Sequence, residues 1–170
     1  MCFFLLAALF SVSACREGPG RVERLVKGEV EPLAQFAFPR EQIARGQGLL
    51  KAPGSGLQDY RIFVIDARKI SRGMIRATLK MDPDAESAAS MDLFDGNAIM
   101  PADPNEQEKL RRSRYRLASQ YGNAGIKPGE QAVLEYPFDQ GQVFQLGITG
   151  DWFSTAGTVA KFELQIEILE

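Results

Sequence analysis

The stretch Thr158-Val-Ala-Lys-Phe-Glu-Leu-Gln-Ile-Glu-Ile-Leu169 decides the fold class. In it Thr158, Ala160, Phe162, Leu164, Ile166 and Ile168 alternate with Lys161, Glu163, Gln165 and Glu167. A helix would put every second residue on opposite sides and mix apolar with charged groups. A strand puts all the apolar residues on one face. The stretch therefore predicts an antiparallel strand with one buried and one wet face.

The same reading extends towards the N-terminus. Gln142 to Thr149 places Phe144, Leu146 and Ile148 on one face, and the Gly-rich run between it and Thr158 suggests that the two strands form a final hairpin. Gln131 to Tyr136 is a further strand, preceded by a tight turn at Lys127-Pro-Gly-Glu130. Gly73 to Met81 alternates, with Ile75, Ala77, Leu79 and Met81 inward. Ala89 to Phe94 is a short strand ended by Asp95-Gly-Asn97, and Asp82 to Ser87 is a turn. Asp59 to Ala67, apolar on both faces and rich in β-branched and aromatic residues, reads as a central strand.

Other segments carry weaker patterns. Leu33 to Pro39 reads as a short extended piece stopped by proline, and Ala52 to Gly56 as a loop. Glu41 to Leu50 has room for one helical turn, weakened by Gly46 and Gly48. Asp103 as N-cap, Pro104 at the first helical position and Glu106 closing a capping box predict a short helix to about Arg112. Arg114 to Ala118 returns to alternation, with Tyr115 and Leu117 inward. Short strands, turn signals roughly every ten residues and at most one or two short helices predict one mainly β domain, an antiparallel β-sandwich of jelly-roll-like kind.

The opposite end of the chain carries an address. Met1-Cys-Phe-Phe-Leu-Leu-Ala-Ala-Leu-Phe-Ser-Val-Ser-Ala-Cys15 is an apolar run too short to span a bilayer as a helix. Its end, Val12-Ser13-Ala14-Cys15, resembles the lipobox of bacterial lipoproteins. The resemblance implies that residues 1–14 are a signal peptide and that Cys15 carries lipid; residues 15–30, charged and containing Gly and Pro at their start, read as a tether to a sandwich over 31–170. It also implies a location in the cell envelope. Because Arg16, not Asp, follows the Cys, that location is the outer membrane where the cell has two membranes. Met1-Cys-Phe-Phe departs from the pattern by lacking an early Lys or Arg. A cleaved signal without lipid, or an N-terminal core element, are the other readings of the run.

Composition narrows the chemistry. The 170 residues hold 20 Lys and Arg against 22 Asp and Glu, so no global basic field exists to capture nucleic acid. The chain has no histidine, which excludes Ser-His-Asp and Cys-His catalysis and His-based zinc sites. Its two cysteines are Cys2 and Cys15, both in the leader region. Carboxylate, Lys or Tyr chemistry and hard oxygen-ligand metal sites remain.

The strand at Tyr60 to Asp66, the strand Gly73 to Met81, the step Met91-Asp-Leu-Phe-Asp-Gly-Asn97 and the closing pair around Phe144 and Phe162 are together similar to bacterial pre-peptidase C-terminal-type domains, over about residues 55–169. The segment 98–127 is longer and more charged than that pattern. The resemblance implies a sandwich that acts as an accessory binding module and is not an enzyme.

Four constellations carry candidate chemistry. Asp82, Asp84, Asp92 and Asp95 offer oxygen ligands for Ca²⁺, the one cofactor to consider; as ordinary solvated turn residues they need none. Lys109, Arg111, Arg112, Arg114 and Arg116 surround Tyr115 and suit a phosphate-bearing headgroup or an acidic glycan, unless Glu106 and Glu108 neutralise them. Trp152 and Phe153 in one loop, with Tyr121 in another, make the strongest binding candidate; the plainer reading is a cap on the core. Asp139 and Asp151 are the pair a glycosidase would need. The expected partners are the membrane through the lipid and a glycan, peptide or envelope protein. A structural or assembly subunit of an envelope complex is the alternative.

Overall fold

Residues 34–51, 60–98, 109–120, 125–150 and 158–170 are described by the structure, a computed structural model. They form nine strands in two sheets: β1 (Ala34–Ala37), β2 (Ile43–Lys51), β3 (Tyr60–Asp66), β4 (Gly73–Met81), β5 (Ala89–Asp95), β6 (Arg116–Gln120), β7 (Gln131–Phe138), β8 (Val143–Gly150) and β9 (Val159–Leu169). One sheet has five strands in the order β1-β3-β8-β5-β6; the other has four, β2-β9-β4-β7. Every pairing is antiparallel except β1 with β3. The architecture is a β-sandwich.

Alternation builds the core between the sheets. The four-stranded sheet contributes Ile75, Ala77, Leu79 and Met81 from β4 and Ala160, Phe162, Leu164 and Ile166 from β9, all buried. The five-stranded sheet contributes Phe63 and Ile65, Met91 and Leu93, and Phe144, Leu146 and Ile148. Phe63 meets Phe162 edge to face with centroids 6.3 Å apart, and Phe138 lies 5.4 Å from Phe144, which ties the two layers by aromatic contacts.

Three expectations are corrected. Residues 43–51 form strand β2, not a helical turn, paired with β9 along its whole length. The two glycines that weaken a helix serve this strand: a Cβ on Gly46 would lie 2.5 Å from the Phe63 ring, and one on Gly48 2.6 Å from the Phe162 ring. Side chains are absent there because the opposing rings fill the space. β8 and β9 do not form a hairpin. β8 pairs with β3 and β5, β9 with β2 and β4, so the chain changes sheet between them. Tyr115 is exposed and precedes β6; a bulge between Leu93 and Phe94 shifts the β5–β6 register, and Leu117 and Ala118 are the half-buried residues of β6. The proposed N-cap at Asp103 lies outside the described residues, whereas 109–111 are helical.

The two outer faces differ. On the five-stranded sheet, the outward residues Ile62, Val64, Ser90, Asp92, Phe94, Gln145 and Thr149 are all buried. Phe94 packs with Ala98 and Leu110, and Gln145 Nε2 donates to the carbonyls of Gly96 (2.9 Å) and Ala98 (2.7 Å). On the four-stranded sheet, the outward residues Arg45, Gln47, Leu49, Lys80, Val133, Lys161 and Glu163 are exposed.

Candidate ligand-binding face

The register of the four-stranded sheet arranges its outward side chains in rows across the strands. One row runs Arg45, Gln165, Thr78, Val133. The next runs Gln47, Glu163, Lys80, Gln131. Neighbours within a row are about 4.8 Å apart, and residues i and i+2 on one strand are about 6.8 Å apart, so a furrow lies between the rows. Its volume is about 500 Å³, and its floor is Gly46 and Leu164, whose positions face inward. A second furrow of about 490 Å³ follows, between the Gln47 row and Leu49, Lys161 and Asp82.

The chemistry of these rows is that of unused hydrogen-bonding groups. Among the described residues, Arg45, Gln47, Thr78, Lys80, Gln131 and Glu163 make no side-chain hydrogen bond or ion pair. The adjoining row differs: Arg76 Nε donates to Glu135 Oε1 at 2.7 Å. Gln165 Nε2 donates to Glu167 Oε1 at 3.0 Å, which orients that amide and leaves its carbonyl open. Exposed apolar groups are confined to the margins of the face, at Ile43, Leu49 and Val133.

The residues singled out from sequence fall elsewhere. Cys15, Tyr121, Asp151, Trp152 and Phe153 lie outside the described residues, and Asp139 is exposed. The four aspartates do not converge. Asp82 Oδ1 accepts from the Asp84 amide at 2.8 Å, and Asp95 Oδ1 from the Asn97 amide at 2.8 Å, both ordinary turn bonds. Asp92 is 1% exposed on the covered face, where Arg111 Nε lies 3.2 Å and Arg116 Nη1 3.9 Å from its oxygens. No group of three metal-ligating side chains occurs among the described residues.

The basic cluster is split by the same geometry. Arg111 is buried against Asp92 and donates from Nη2 to Ser90 Oγ at 3.3 Å. Arg112 and Arg114 are exposed, and the Arg114 guanidinium sits 5.3 Å from the Tyr115 ring centre, a cation–π contact. The Asp92–Arg111 pair had no signature in the sequence, because its members meet only through the fold. The open face had a partial one: the outward set of β9 is legible, but its neighbours on β2, β4 and β7 depend on strand order.

No family model and no curated protein matches the chain. Among solved structures it is similar to the periplasmic inhibitor of g-type lysozyme PliG from Salmonella Typhimurium, with 15% identity, a TM-score of 0.40, and coverage of 79% of this chain and 98% of that one. It is also similar to the pre-peptidase C-terminal domain of the collagenase from Bacillus anthracis, with 8% identity, a TM-score of 0.43, and coverage of 82% and 97%. The second is a domain of the type the sequence resembles, but at TM-scores of 0.40 and 0.43 both likenesses are too loose to assign a family or a ligand.

Proposed function

We propose that this chain is a lipid-anchored envelope protein whose sandwich is a non-catalytic binding module, acting through the outer face of the four-stranded sheet. One observation carries the reading. One outer face of the sandwich is buried, while the other is open and carries six polar side chains with no partner among the described residues. A rigid sheet holds such groups at fixed spacing, which lowers the entropy lost on binding. The anchor is Cys15, from the lipobox-like tripeptide before it, and Arg16 directs it to the outer membrane of a two-membrane cell. Trp152, Phe153 and Tyr121 are further candidate contacts in this reading, whereas Arg112 and Arg114 follow Arg111 on the side of the five-stranded sheet and are not part of this face. A structural subunit is the second reading, favoured by Ile43, Leu49 and Val133, each more than 40% exposed on that same face.

Two experiments test the proposal. Cys15→Ser should abolish detergent-phase partitioning or leave the precursor uncleaved; processed variant that still partitions contradicts the anchor. A benzophenone side chain introduced at Thr78 should cross-link an envelope component in living cells, and one introduced at buried Gln145 should not. No adduct at Thr78 or at a second position, Gln47, removes the binding reading.

A further inference from the structure

We infer that the furrow between the Arg45 and Gln47 rows binds a neutral polyhydroxylated chain, an oligosaccharide of hexose or N-acetylhexosamine units lying across the four strands. The inference rests on the binding-module reading and names its ligand class.

Charge comes first. The outward face and the furrow beside it carry Arg45, Arg61, Arg76, Lys80 and Lys161 against Glu135, Glu163, Glu167 and, at the turn, Asp82. Cations exceed carboxylates by one and the two are interleaved, since Glu163 lies directly opposite Lys80. Such a face has too small a net field to select a highly charged polymer. Hydrogen-bonding type comes second. The amides of Gln47, Gln131 and Gln165 each both donate and accept, and Thr78 does the same. Sugar hydroxyls have this dual character, and Glu163 and Arg45 provide planar acceptor and donor pairs for neighbouring hydroxyls.

Shape comes third. No side chain rises from the floor at Gly46 and Leu164, and a row of four strands spans about 15 Å, which accommodates several sugar units. A protein partner would want an apolar or aromatic anchor at the centre of its contact. The centre here is polar, and Ile43, Leu49 and Val133 stand at the margins. Each neutral hydrogen bond contributes little, so affinity comes from the number of contacts and depends weakly on salt.

The full chain in detergent micelles is titrated with cellohexaose and chitohexaose, and separately with polygalacturonate and poly-glutamate. The neutral oligosaccharides should bind and shift the side-chain amide NMR signals of Gln47, Gln131 and Gln165. Their Kd should change less than about twofold between about 50 and about 500 mM salt. Gln47→Ala with Gln165→Ala should weaken binding by on the order of tenfold or more, with circular dichroism and melting unchanged. Thr78→Val with Gln131→Ala provides the same reading if the first pair misfolds.

Binding unaffected by both pairs places the sugar elsewhere and overturns the inference. So does binding of the charged polymers alone. If neither oligosaccharide binds but Thr78 still cross-links a protein in cells, the ligand class is wrong while the binding module stands. If Thr78 and Gln47 yield no adduct in cells, the module reading fails with it.

Discussion

Replacing Arg111 by Met should cost about 3 kcal/mol of stability. In the folded protein the Asp92 carboxylate is 1% exposed and sits between Arg111 at 3.2 Å and Arg116 at 3.9 Å. Neither of its oxygens has a hydrogen-bond partner of good geometry among the described residues, so its burial is offset by charge alone. Removing one partner of a buried ion pair typically costs 3–5 kcal/mol, roughly, because the other charge stays desolvated. Arg116 remains and is more exposed, which holds the loss near the lower end of that range. Asp92→Leu should cost less, about 1–2 kcal/mol: the long Arg111 stem can carry its head towards water, whereas the middle of β5 cannot move. The double substitution removes both charges and should return to within about 1 kcal/mol of the parent. Urea unfolding followed by far-ultraviolet circular dichroism measures all three, and the cycle should give a coupling of about 3–6 kcal/mol. An Arg111→Met loss under about 1 kcal/mol, or single effects that simply add, would refute the claim that this pair secures the covered face.

Three more outcomes follow from the packing and the charges. Leu164, 2% exposed at the centre of β9, should lose about 2–5 kcal/mol as Ala in the same unfolding assay, and a smaller loss would contradict a close-packed core. Gly46→Ala should destabilise by about 1–3 kcal/mol, since its Cβ would meet a Phe63 ring held between Phe36 and Phe162; unchanged or higher stability would mean that the ring moves freely. The Arg68 guanidinium, bonded to Asp66 at 2.7 and 2.9 Å, holds that carboxyl below the usual range. A depressed carboxyl contributes stability that is present above its unfolded pKa and lost as pH falls through the folded one. Arg68→Ala should therefore raise the Asp66 midpoint in an NMR titration and reduce the loss of stability on acidification, and an unmoved midpoint would rule the pair out as its cause.

Local alternation determines much of the architecture. β4, β8 and β9, their inward residues and the sandwich class are legible because their apolar residues recur with a period of two, and β5 is legible as a short strand ended by turn residues. The failures have a common physical origin. Residues 43–51 carry no alternation that local rules reward; they are a strand because β9 supplies nine paired positions and two rings need the space at Gly46 and Gly48. β8 and β9 look like hairpin partners because they are neighbours in sequence, but pairing energy goes to whichever strands the whole core brings together. Asp82, Asp84, Asp92 and Asp95 are close along the chain, yet Asp92 points out of the opposite sheet from the turn that holds Asp82. The arginines at 111 and 116 read as surface charge until the fold turns them onto that carboxylate. The candidate face depends on strand order most of all: β9 alone shows Lys161, Glu163 and Gln165 outward, and only the pairing with β2 and β4 sets Gln47, Arg45, Thr78 and Lys80 beside them. Sequence determined which side chains lie on one side of a strand, and tertiary structure decided which sides are covered and which side chains share a surface, because sidedness is a property of one strand and adjacency a property of four.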